Sequence, residues 1–242
     1  MKNLEKYAQK LAQHLPLVMG LTILGMDVVA IAAPILAHFG FDGTAHIIYK
    51  IYSFLCHQRP WRSIHLFDYQ VAWCTRDTFI YLAMGLSALF VHFFKVRGVK
   101  WYVAVLSLVP FALDGTVQLI AEISGTINGQ ETFFYASTNF QRILTGSIFG
   151  AGAGLWLFGL LAETIDEELV AKGEKVKALA KDFGRSLKFF GLTIIICLIT
   201  YIGFVQLWNV TSEKYKPSGI LDHRRYFPGV NYEEVEEWKH VV

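Results

Sequence analysis

Five long apolar runs, separated by polar stretches, dominate this chain. They lie at about 15–39, 71–94, 101–120, 138–161 and 189–210. About 20 apolar residues suffice for a helix to cross a 30 Å hydrocarbon core, so each run is predicted to be a transmembrane helix. A sixth, shorter stretch, His46–Leu55, places apolar residues at 47, 48, 51, 52, 54 and 55. It is too short to span and reads as an amphipathic helix lying at the interface. Phe41–Thr44 reads as a turn, and Pro60 stops the short helix before an irregular loop to Tyr69. The predicted fold is all-α: a polytopic membrane helix bundle of about five transmembrane helices plus one short interfacial helix.

Composition agrees. The chain is 54% hydrophobic and only 17% charged, against about 25% charged in soluble domains. A net charge of +2 offers no basic footprint for nucleic acid. The expected partners are the lipid bilayer and other membrane-complex subunits. The first run exceeds the roughly 7–15 apolar residues of a signal peptide, so a retained span is expected.

Basic residues set an orientation. Lys2, Lys6 and Lys10 precede the first run; Lys95, Arg97 and Lys100 sit between the second and third; Lys172, Lys175, Lys177, Lys181, Arg185 and Lys188 sit between the fourth and fifth. With five spans these fall on one side, which the positive-inside rule assigns to the cytoplasm. The chain then divides into a cytoplasmic N-terminal segment (1–14), a bundle in the cell membrane (15–210) and an external soluble tail (211–242). The bundle carries an outer-face motif loop (40–77) and a cytoplasmic linker (163–188). The acidic run Glu233–Glu237 reads as a solvated helix face.

Polar residues inside the runs narrow the chemistry. Asp27 falls near mid-membrane, where a charged acid costs ~2.5–3.5 kcal/mol on insertion scales. It either bonds to a neighbouring helix or serves proton or ion movement. Gly146, Gly150 and Gly154 form a small-residue ridge for helix packing, and Cys197 reads as a packing residue. Asp114 and Gln118 share one helix face, as do Asn139 and Arg142. The predicted topology brings these two pairs, with Cys56/His57 and Cys74/Asp77, to the outer ends of their segments. One buried polar cluster opening outward is expected.

Its centre is Cys56-His57-Gln58-Arg59-Pro60-Trp61-Arg62-Ser63, answered by Cys74-Thr75-Arg76-Asp77. Cys56, His57, Cys74 and Asp77 offer sulfur, nitrogen and oxygen donors that suit one zinc or another thiolate-binding metal ion. A Cys56–Cys74 disulfide is the competing reading, worth ~3 kcal/mol in the loop-entropy model. Arg59, Arg62, Arg76 and Arg142 could hold an anion such as a lipid phosphate through paired hydrogen bonds; they could equally pair with Asp68, Asp77 and Asp114. His46 and His65 read as interfacial.

These motifs resemble a family of bacterial and archaeal predicted membrane proteins of unknown function, marked by Cys-His-Gln-x-Pro-x-Arg-Ser and then Cys-x-Arg-Cys-x-Gly-x-Tyr. Cys56, His57, Gln58, Pro60, Arg62 and Ser63 match the first element; Cys74, Arg76 and Tyr81 match the second. Pro110, Leu113, Asp114, Gly115 and Gln118 resemble a later element, and Asn139, Arg142, Thr145 and Gly146 another. The resemblance implies a shared fold and site and no assigned activity. Where the family has a last cysteine this chain has Asp77, and where it has a glycine this chain has Phe79. A family thiolate site would therefore be hardened here by one oxygen ligand.

Three functions compete. In a metalloenzyme acting on a lipid-like substrate, the metal polarises substrate, Asp114 is the general base, and Arg142 with the other arginines holds a phosphate. Arg62, Arg76, Gln118 and Asn139 then line the site. An accessory subunit of a larger membrane complex would use the motif as a structural clamp. A transporter would line its path with Asp27, Asp114, Gln118 and Arg142, although the chain has no inverted repeat.

Overall fold

The computed structural model describes residues 11–126, 137–172 and 182–222, with Tyr7, Gln9 and Tyr135. Helix α1 spans Leu15–His38 and ends in a turn through Gly40, whose φ of +79° is left-handed. Helix α2 spans Asp42–Tyr52. It begins earlier than expected, because the residues read as a turn form its first turn. Asp42 there complements the helix dipole. Its Ala45, Tyr49 and Tyr52 face inward, while Ile47 and Ile51 are exposed.

The loop expected to be irregular is ordered. Pro60–Arg62 makes one 3-10 turn, and a two-stranded antiparallel hairpin follows, β1 (His65–Leu66) with β2 (Tyr69–Gln70). Its two-residue turn puts Phe67 and Asp68 at φ of 56° and 66°. Tight hairpins need such angles, usually from Asn or Gly. Contacts offset the strain: Phe67 stacks on His38 at 4.0 Å, and Asp68 accepts the backbone N–H groups of Glu213, Lys214 and Tyr215 at 2.9–3.1 Å.

The remaining helices are α3 (Thr75–Phe93), α4 (Trp101–Thr126), α5 (Asn139–Ala171) and α6 (Phe183–Thr211). Thr138 caps α5 in a reciprocal capping box with Gln141, which satisfies two otherwise orphaned donors. Three helices outrun their apolar cores: α4 to Thr126, α5 to Ala171, and α6 from Phe183. In α5 the extension Glu163–Ala171 is rich in helix-forming residues, so loss of hydropathy does not end the helix. Residues 173–181 of the linker, 127–134 and 136 of the connection before α5, and 223–242 of the tail, including the acidic run, lie outside the described residues.

Among the described residues, four helices are long and apolar enough to cross a bilayer: α1, α4 over Trp101–Ala121, α5 and α6. The fifth expected span, α3, carries Arg76 and Asp77 in its first turn and is the central helix, packed along α5, α1 and α6. It runs parallel to α5. Gly146 faces the Arg76 carbonyl, Gly150 faces Ile80 and Ala83, and Gly154 faces Ser87 and Met84. Against α1 it is antiparallel, with Gly20 against Gly85 and Ala88. The glycine ridge lets α3 and α5 approach until a Cβ on Gly146 would stand 2.7 Å from a backbone oxygen.

The bundle therefore has two polar ends. One holds the basic loops, where Arg97 pairs with Asp166 at 3.0 Å and Ser186 donates to the Arg97 carbonyl at 3.0 Å. The other holds the motif loop, the starts of α3 and α5, and the final turns of α1, α4 and α6.

Candidate metal centre

Helix α2 delivers Cys56, whose N–H donates to the Tyr52 carbonyl at 3.0 Å. The chain then turns through Gln58 (φ 50°), a buried residue. Its side-chain amide donates to the carbonyls of Tyr49 and Ala72 at 2.8 and 2.9 Å, and its own carbonyl accepts from Gln70 at 2.8 Å. This one side chain ties α2 to the stretch that leads into α3. Cys74 is the N-cap residue of α3. Asp77, one turn on, is set on the same face.

Ligand atoms of Cys56, Cys74 and Asp77 lie within 4.8 Å of one another. The Cys56 sulfur accepts the Cys74 N–H at 3.3 Å, and the Cys74 thiol donates to Asp77 Oδ2 at 3.2 Å. All three cysteines of the chain are free thiols, so the expected alternative of a Cys56–Cys74 disulfide is not formed here. The contact between Cys56 and Cys74 acts oppositely on the two thiols. It lowers the pKa of Cys56, and with burial it raises that of Cys74. One sulfur is thus biased toward thiolate and the other toward thiol. Two sulfurs and a carboxylate fit zinc or a related ion. His57 lies outside this group: its side chain is exposed and turns to a neighbouring cavity. Cys197 is fully buried between helices.

Arg76 points away from Asp77. It forms an ion pair with Asp114 of α4, whose second oxygen accepts the Tyr135 hydroxyl at 2.5 Å. Ser137 also donates to Asp114, at 3.0 Å. Both carboxylate oxygens of the candidate general base are therefore occupied by protein donors. Arg142 of α5 donates to Gln118 of α4 at 2.6 Å and to the Ser137 carbonyl at 3.2 Å. Asn139 donates to Asp222 at 2.7 Å.

Between the motif loop and α4 lies a cavity of about 420 Å³. His57, Arg59 and Arg62 of the motif loop and Gly115, Gln118, Leu119 and Ile123 of α4 line it. Burial, reinforced by the neighbouring Arg142 and Arg59 guanidinium groups, pushes the Arg62 pKa down to about 9. A guanidinium destabilised by cations around it is a group that an anion would stabilise.

Asp27 is buried on α1, and neither carboxylate oxygen has a hydrogen-bond partner among the described residues. Asp77 and Tyr81 are among its electrostatic neighbours. The expected bond to a neighbouring helix is not made among those residues. Several participants were not singled out from sequence: Tyr135 and Ser137 on Asp114, Asp222 on Asn139, and Gln70 beside Gln58. They depend on contacts between distant segments.

Comparison with known proteins follows the same stretch. A family model described as "predicted membrane protein (DUF2085)" matches residues 56–156. The uncharacterized protein MJ1492 of Methanocaldococcus jannaschii is 32% identical over 124 residues, which cover 49% of this chain and 70% of the relative. No solved structure matches.

Proposed function

Since this chain belongs to the DUF2085 family of predicted membrane proteins, we propose that it is an integral membrane protein that binds one thiolate-loving metal ion, zinc by preference, through Cys56, Cys74 and Asp77. The observation that carries this reading is the grouping of two sulfurs and a carboxylate oxygen within 4.8 Å at the start of the central helix. Three protein donors leave a tetrahedral ion its fourth position, as in catalytic rather than structural zinc sites. Bound there, the ion would supply Lewis acidity for a lipid-like substrate. Cys56 and Cys74 would hold it as thiolates, and Asp77 would accept the place of a harder ligand. The basic loops at the opposite end favour a cytoplasmic N-terminus and a motif end facing outward.

Elemental analysis of purified protein tests the reading. One zinc or related ion per chain is expected, lost in Cys56→Ser and in Cys74→Ser. Protein free of metal, with both thiols reactive only after reduction, would overturn it. That result would favour the second reading, an accessory subunit of a larger complex clamped by a Cys56–Cys74 disulfide. The hydrogen bond already linking these two residues is the observation in its favour.

A further inference from the structure

We infer that the cavity between the motif loop and α4 binds a phosphate-bearing anionic ligand, held by Arg59 and Arg62 with its apolar part along Leu119 and Ile123. Its lining combines two guanidinium groups, an imidazole and an amide with apolar side chains of α4. Among these, Leu119 (57%) and Ile123 (56%) expose more than half of their surface. They belong to a helix whose membrane-crossing window is only 11% buried within the protein. An apolar chain could thus lie along α4 and leave its charged head in the cavity, at the depth where headgroups sit.

The wall is also positively biased from behind. Gln118, a lining residue, takes the hydrogen bond of Arg142. Arg142 is 2% exposed, and among the described residues its hydrogen-bond acceptors are neutral oxygens, not carboxylates. Arg76 is already neutralised by Asp114. A guanidinium pair binds the oxygens of a phosphate bidentately, and about 420 Å³ falls within the usual range of small-molecule sites. The inference rests on the chain lying in a bilayer and not on the metal, so the two can fail separately.

The test uses full-length protein in detergent, with short-chain phosphatidylglycerol, short-chain phosphatidylcholine and inorganic phosphate as probes, read by thermal shift and by competition. Phosphatidylglycerol is expected to raise the melting temperature saturably, and phosphatidylcholine to do so at least about tenfold more weakly. Arg62→Gln and, as a second variant, Arg59→Gln should each weaken phosphatidylglycerol about tenfold or more. Leu119→Gln should weaken the lipid and leave inorganic phosphate unchanged. Should phosphate bind as tightly as the lipid and Leu119→Gln have no effect, the anion site stands with a soluble ligand. Equal binding of the anionic and zwitterionic lipids, or anion binding untouched in both folded arginine variants, would overturn it. Repeating the series in Cys74→Ser separates this site from the metal centre: anion binding should persist there.

Discussion

Arg142 donates to Gln118 across the α4–α5 interface at 2.6 Å, and both side chains are buried. A desolvated cation is thus compensated by a neutral amide where a carboxylate would be the ordinary partner. Such an arrangement is costly unless each donor is satisfied. Gln118→Leu should remove an acceptor from a buried charge and lower stability by about 2–3 kcal/mol. Gln118→Glu keeps the acceptor and cancels the charge behind the cavity wall. It should hold its melting temperature while weakening phosphatidylglycerol about tenfold, since the anion meets a new negative charge.

The Arg76–Asp114 ion pair joins the central helix to α4. Asp114→Ala leaves a partly buried guanidinium without its carboxylate and should cost about 2–4 kcal/mol, whereas replacing both partners by apolar residues of similar volume should cost much less. A double-mutant cycle read by thermal unfolding in detergent measures the coupling. An additive cycle would remove this pair from the account of what holds the motif end together.

Gly150 sits where α5 crosses the Ile80 carbonyl. Gly150→Ala has no room for its methyl group and should destabilise by about 1–3 kcal/mol or more, because overpacking moves backbone against backbone. Gly191 on α6 has open space around it. Gly191→Ala should be neutral or stabilising by up to about 1 kcal/mol, since only the helix propensity changes. Melting temperatures of the two variants, side by side, check the contrast.

Asp68 holds the first residues after α6 against the hairpin by accepting three consecutive backbone N–H groups. Asp68→Ala should cost about 1–3 kcal/mol and raise amide hydrogen exchange at Glu213, Lys214 and Tyr215 while leaving the α6 core protected. Unchanged exchange at those three amides would show that the stacking of His65 on Trp208 and Tyr215 suffices without the carboxylate.

The all-α membrane character, the approximate place of each long helix, and the packing use of Gly146, Gly150 and Gly154 were legible in the chain alone. Hydrophobic runs and small-residue spacing are local patterns, set by the rise of a helix and the thickness of a bilayer. The ends of the helices were less legible, because α4, α5 and α6 continue past their apolar cores, where hydropathy gives no boundary. Position in the bundle was not local at all. The centrality of α3, the turning of Arg76 to Asp114 and of His57 away from the two sulfurs, and the left-handed Phe67–Asp68 turn held by residues 213–215 all arise from contacts between segments far apart in sequence. Such contacts depend on how the helices share volume, and no periodicity along one chain encodes which neighbour a side chain will meet.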